Sequence, residues 1–413
     1  MLNDFPRNTR VTLLLEPCSS VLACILTFYA ALYMQGNGLD AAQIGLIASL
    51  AAVTGLIAQF VAAPVTNRLG RRRTLLLFSV ICWSIPLFLW MKAAEFTTFL
   101  LASVVFSSSR ITTVAWYCVA TEDVREDRRA QVFGILFIIS SIGGIATAFA
   151  GPVFNGFGLV RSLRFLYGFA FVSMTIMFAL RHVLLTETRA GSELRDLHAR
   201  LSLGQTIRRC LTVVTTSLKD REFFRLTLAF AFFNFALAMG FVQVLFLNNA
   251  LRLTVGEISM IPLVAAIVSV TLFRFVVPRV REANTRGVMT LSLAVFAAGL
   301  FLLLLVPPRC LGLVLLASAL IAAGTYLFQV VINTALNNRM GQFHKADVYS
   351  AVQLLVALVT IPAGWLAGSM FAIRPELAIG ATAVVALAAA AILRPFGAQA
   401  ADTAPAFKPE AED

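Results

Sequence analysis

Asn67-Arg68-Leu69-Gly70-Arg71-Arg72-Arg73 sets four arginines and a glycine between two stretches, 41–66 and 74–91, that hold no charged residue at all. An ionised side chain at mid-bilayer costs about 2.5–3.5 kcal/mol even on lenient insertion scales. A basic knot between two such stretches therefore marks a short connection at a membrane surface, and the flanking runs mark helices that leave it and cross the bilayer.

Reading outward, the whole chain repeats this alternation. Hydrophobic residues make up 59% of the sequence and charged ones 13%, about half the share usual in a soluble domain, and the mean hydropathy is +0.85. A helix needs roughly 20 residues to cross a hydrocarbon core of about 30 Å. By that measure there are twelve spans, the first near 11–34 and the last near 377–394. The longest polar segment, 184–222, divides them six and six. The expected organisation is an N-terminal bundle (1–183), a linker (184–222), a C-terminal bundle (223–394) and a tail (395–413) whose Ala, Pro and acidic residues predict disorder. In the linker Leu197, Leu201, Ile207, Leu211, Val214 and Leu218 recur near helical spacing, which fits an amphipathic helix on the inner leaflet or a patchy connector. The polar start and long first span, without a small-residue cleavage site, do not read as a signal peptide.

The formal charge of +12 would suit nucleic acid if it were gathered on one soluble face. Instead most Lys and Arg fall in alternate loops on the side of both termini, the pattern of the positive-inside rule, so both termini are expected in the cytoplasm and no nucleic-acid partner is implied. The six cysteines show no metal-ligand spacing, and four lie within spans, so neither disulfide, metal nor other cofactor is expected. Pro152 and Pro362 are as far apart as Arg71 and Arg281, one offset that aligns two landmarks and suggests an internal repeat of the two halves.

The basic loop resembles the signature G-x-x-x-D-R-x-G-R-R between the second and third helices of the major facilitator superfamily. Arg68, Gly70, Arg71 and Arg72 match it, whereas Ala63 replaces the first Gly and Asn67 the Asp. The resemblance implies an all-α membrane protein of two six-helix bundles related by a pseudo-two-fold axis, moving a small-molecule substrate by alternating access. It also implies that the loop gates the cytoplasmic side; Asn67, a neutral amide, would hydrogen-bond Arg128 or Arg129 of the next cytoplasmic loop where the family Asp would form an ion pair. The plain alternative is that these arginines only set topology.

Two charges lie where the bilayer rejects them. Arg110 is near the middle of the fourth span, beyond the reach of either surface, and is expected to face the interior; similar carriers hold an Arg there in a motif beginning L-x-x-x-R, linked to proton coupling or anion binding. Glu16, followed by Pro17, is the one carboxylate inside a span and its expected counter-ion. Desolvation favours the neutral acid and pairing the ionised one, so Glu16 suits proton coupling, against the alternative of a fixed structural pair. Polar stripes at helical spacing point to a cavity: Glu16, Ser20 and Thr27 in span 1; Ser103, Ser107, Arg110 and Tyr117 in span 4; Thr227 and Asn234 in span 7; Tyr326, Gln329 and Asn333 in span 10. These are the helices that line the cavity in the family fold, though each stripe alone also fits helix–helix hydrogen bonding.

Gly151-Pro152 resembles the Gly-Pro element on the fifth helix of drug/proton antiporters, where a stiff, close-packed bend limits leakage; a merely structural bend is the alternative. Phe-rich spans 6 to 8 suit an apolar or amphipathic solute. The expectation is a bacterial inner-membrane carrier, monomeric and driven by protons, exporting an amphipathic compound, with uptake of an anionic or sugar-like nutrient as the alternative. An integral-membrane enzyme would need clustered acids, His or a nucleophile at one face. Glu122, Asp123, Glu126 and Asp127 interleave with Arg125, Arg128 and Arg129 and read instead as a charged hinge.

Overall fold

The structure is a computed structural model that describes residues 5–189, 191–192, 220–280, 284–339 and 345–393. The expected linker helix, Arg281 and the tail lie outside these residues, as do the side chains of Ala63, Asn67 and Arg129.

Among the described residues the chain is helical with no strand, and 12 helices are long and apolar enough to cross a membrane. They are α1 (Arg7–Gly36), α2 (Ala41–Leu69), α3 (Arg71–Lys92), α4 (Phe96–Thr121), α5 (Glu126–Phe157), α6 (Leu159–Leu184), α7 (Arg221–Asn249), α8 (Val255–Val276), α9 (Thr285–Leu305), α10 (Leu311–Arg339), α11 (Val352–Ile373) and α12 (Pro375–Leu393). Large apolar side chains such as Phe165 and Leu305, 77% and 80% exposed, cover the flanks where acyl chains would lie.

Several rods are broken where their sequences demand it. Pro17 and Pro152 sit inside α1 and α5, each removing a ladder bond. Pro362 stands at the break of α11. In α4 the run Ser107-Ser108-Ser109 ends the first half at Ser107 and Arg110 restarts the second. Across the break Ser108, Ser109 and Ile111 donate to carbonyls three residues back, at 3.1, 2.9 and 3.1 Å. This 3₁₀-like turn overwinds the helix.

The six helices before the linker and the six after it meet at the end remote from the basic loop. Gly45 of α2 and Gly364 and Gly368 of α11 lie backbone against backbone, and the Trp365 N–H donates to Ser49 Oγ at 2.8 Å. Nearby, Ser259 of α8 donates to the Ala148 carbonyl of α5 at 2.9 Å. One buried apolar cluster, including Tyr29, Phe154, Leu245 and Phe371, spans both halves. Toward the basic loop the clusters separate: Phe223, Phe230, Phe233 and Phe328 belong to the second half alone, and Leu75, Ala115 and Leu185 to the first. The phenylalanines that suggested a stacking surface thus include core residues of one bundle.

Candidate functional site: a cavity between the bundles

Above this seal a cavity of about 710 Å³ opens between α1, α3, α4, α5 and α6 on one side and α8 and α10 on the other. Its wall is lopsided. The first half supplies Glu16, Ser19, Ser20 and Thr27, a hydroxyl row Ser140, Ser141 and Thr147, and Thr112, Thr113, Trp116 and Arg181; the second half supplies Pro262, Ala265, Ala266, Ser269 and Tyr326. Both charged groups and most hydroxyls therefore belong to one bundle, and the other adds a smaller lining with Ser269 and Tyr326 as its polar members, within the size range typical of small-molecule sites.

The charge in the wall is a pair. Arg181 Nη2 donates to Glu16 Oε2 at 2.6 Å, and Trp116 Nε1 donates to the same oxygen at 3.0 Å. The side chains are only 8% and 18% exposed. Each ion supplies the counter-charge that makes burial of the other tolerable, and a charge-assisted bond of this length is stronger than a neutral one. The fit is incomplete: Arg181 Nε is buried with no hydrogen-bond partner.

Of the residues singled out by sequence, Glu16, Ser20, Thr27 and Tyr326 stand in the wall. Ser107, Asn234 and Asn333 stand outside it and donate to carbonyls four residues back on their own helices, Ser103 at 2.9 Å, Phe230 at 2.8 Å and Gln329 at 2.8 Å. Gln329 and Tyr117 are exposed and also outside the wall. The expected Glu16–Arg110 pair is corrected: Glu16 meets Arg181 of α6, and Arg110 is exposed, outside the wall. The whole stripe Ser103, Ser107, Arg110 and Tyr117 lies outside the wall, and the opposite face of α4, with Thr112, Thr113 and Trp116, lines it: helical spacing groups residues on one face and does not say which face meets the cavity. Arg181, three and seven residues after the wall residues Phe178 and Met174, shares their face of α6 near the end of a span, where an arginine reads equally as a topological charge. The α5 stripe Ser140, Ser141, Gly144 and Thr147 stands at helical spacing on a helix outside the four that the family resemblance names as cavity-lining.

The basic loop forms a second polar centre, within the first half. Gly70 ends α2 at φ +84° and opens α3, a backbone that L side chains resist. A Cβ there would also strike Glu187 just past α6. Glu187 accepts the Arg71 and Arg72 backbone N–H groups at 2.8 and 3.2 Å, so a carboxylate caps the positive end of α3. Arg71, 3% exposed, donates through Nη2 and Nε to Glu122 Oε1 at 3.0 and 3.3 Å. Thr188 donates to Glu122 Oε2 at 2.5 Å, and Arg72 Nε to the His182 carbonyl at 2.7 Å. Burial pushes the Glu122 carboxyl up, but the Arg71 and Thr188 hydrogen bonds and the Arg71 charge outweigh it and hold the group below its ordinary value. These bonds tie α3, α4 and α6 of one bundle together. Arg68 and Arg128 also have partners.

Gly151 packs against α8, where a Cβ would meet Ser259 and the Val255 carbonyl; with Pro152 it belongs to the closed end.

Two six-helix bundles sealed at one end over a polar cavity define a membrane transport protein. The chain belongs to the major facilitator superfamily, whose family model matches residues 18–364. Solved structures share the fold at low identity. A variant of the nucleoside transporter NupG is 13% identical with a TM-score of 0.72, covering 93% of this chain and 98% of that one. The POT family transporter PepTSo is 12% identical with a TM-score of 0.72, covering 94% and 97%. A bacterial homologue of the human lysosomal transporter Spinster, inward-facing and unoccupied, is 17% identical with a TM-score of 0.69, covering 94% and 95%. Among curated proteins none matches this chain by sequence.

Proposed function

We propose that this protein is a proton-coupled secondary carrier of a bacterial inner membrane, monomeric with both termini cytoplasmic, moving a small organic solute by alternating access through the cavity described above. The observation that carries this reading is the Glu16–Arg181 pair in the cavity wall. A carboxylate and a guanidinium buried in contact at a cavity wall within the membrane mark an ion or substrate pathway. The seal at the far end and the separate cores near the basic loop fit a carrier open toward the cytoplasm.

Export of an amphipathic compound is supported by the apolar cover on α8 and by the tight packing of Gly151 and Pro152 in the seal. Uptake of an anionic solute is favoured by the unpartnered Nε of Arg181. The carrier reading is tested by spin labels at positions 73 and 286, on the basic-loop ends of the two halves, in a cysteine-replaced background in nanodiscs. The distance distribution should shift between about pH 5 and pH 8 and stop responding in Glu16→Gln; a distribution indifferent to pH would sink the coupled-carrier reading.

A further inference from the structure

The guanidinium of Arg181 is only half used. Its Nε–H and Nη2–H point the same way and form one fork shaped for the two oxygens of a carboxylate. In the structure Glu16 reaches the fork with a single oxygen: Oε2 takes Nη2 at 2.6 Å and shares Trp116 Nε1 at 3.0 Å, while Nε lies buried and unbonded. A lost bond at a buried donor is costly, and a purely structural pair would turn both oxygens of Glu16 into the fork. Three donors from α4 and α6 thus converge on one carboxylate position at the wall of the cavity, with Glu16 holding it imperfectly.

From this we infer that the solute carries a carboxylate that takes the place of Glu16 on Arg181, with an aromatic or other planar body among Phe28, Trp83, Phe178 and Tyr326 of the same wall. The inference rests on the carrier reading above and deepens it. The exchange balances: one proton goes from water to the Glu16 carboxylate, its bond to Nη2 breaks, and the solute anion bonds to Nη2 and Nε. One positive and one negative charge enter together, so the wall keeps its net charge and the solute moves with a proton in the same direction. A dianion such as a phosphate monoester would leave one charge unmatched. No other ion in the wall competes. Glu16 and Arg181 are its charged members and Cys24 and Tyr326 its other titratable ones. Segments 74–91 of α3 and 131–157 of α5 hold no charged residue. The ring of the adjacent His182 is not part of the wall, and its Nδ1 is buried without a hydrogen-bond partner.

The test uses the purified full chain in nanodiscs, titrated with benzoate, with its uncharged isostere benzamide and with phenyl phosphate, and read by tryptophan fluorescence. Benzoate should bind saturably and about tenfold more tightly near pH 5.5 than near pH 8, with benzamide and phenyl phosphate at least about tenfold weaker. Glu16→Gln should bind benzoate at pH 8 as the unmodified protein does at low pH. Arg181→Lys, which keeps the charge and loses the fork, should weaken benzoate about tenfold or more. The neutral double variant Glu16→Gln with Arg181→Gln, which buries no lone charge, should elute as a monodisperse folded protein and bind none of the probes. Benzamide or phenyl phosphate binding as tightly as benzoate overturns the inference. So does benzoate binding indifferent to both single variants, or its absence up to tens of millimolar in both the unmodified chain and Glu16→Gln. If the spin-label distances respond to pH while benzoate fails to bind, the carrier reading stands and the carboxylate site falls; benzoate binding with fixed distances gives the reverse.

Discussion

Gly45 of α2 and Gly364 of α11 meet backbone to backbone: a methyl group on Gly364 would lie 2.8 Å from the Gly45 carbonyl oxygen and 2.9 Å from the Ala48 Cβ. Small residues let membrane helices approach this closely, and the approach here joins the two bundles rather than neighbours within one. Gly45→Leu is therefore expected to hold the far end apart without disturbing either bundle's own core. The label distance between positions 73 and 286 should shorten as the basic-loop ends close in compensation, and solute flux should fall about tenfold or more. An unaltered distance distribution would refute the seal.

Arg71 and Glu122 make a different kind of joint, inside one bundle. Removing one member of a buried pair strands the other and typically costs about 3–5 kcal/mol, whereas trimming an exposed charge such as Arg73 costs about 0.5 kcal/mol or less. Arg71→Ala should lower the thermal unfolding midpoint in detergent clearly, Arg73→Ala hardly at all. Glu122→Gln together with Arg71→Gln should recover part of the loss. Equal midpoints for the two single alanine variants would show that the joint contributes nothing.

The same joint carries a pH dependence of known sign. The folded Glu122 carboxyl sits below its ordinary value of 4.5, so its contribution is complete above about that pH and fades as pH falls through the lower, folded value. Unfolding midpoints should drop on acidification below about pH 4.5, and Glu122→Gln should flatten that part of the profile while lowering the plateau near neutrality. A rise in midpoint on acidification in the unmodified chain would contradict the assignment.

What could be read from the sequence, and what could not, follows from how each signal is encoded. The twelve spans were legible because length and apolarity are local properties that need no neighbour. The basic loop was legible as a motif, yet its partner Glu187 was assigned to a linker, since nothing in the chain marks 185–189 as folding back on α3. Periodicity placed Ser20 and Thr27 beside Glu16 in the cavity wall because α1 keeps helical phase through Pro17. It grouped Arg110 with Ser103 and Ser107 on one face of α4, but the cavity takes the opposite face, with Thr112, Thr113 and Trp116. The pairing of Glu16 with Arg181 joins residues 165 positions apart, a relationship set by packing and carried by no pattern in either segment.

That last relationship gives the sharpest contrast between two arginines. Arg181 is 8% exposed in its side chain and bonded to Glu16; Arg110 is exposed and outside the wall. Losing Arg181 strands the Glu16 carboxylate with Trp116 as its remaining donor and removes the fork that would hold a solute. Arg181→Ala should abolish flux in reconstituted vesicles driven by a pH gradient, and the loss should not be recovered by raising solute concentration. Arg110→Ala should reduce flux by a smaller factor, because an exposed charge contributes through the field at the cavity rather than through a bond. Measuring both variants at matched protein levels decides the matter: a greater loss from Arg110 than from Arg181 would return the coupling role to α4 and leave the pair on α1 and α6 as a structural clasp.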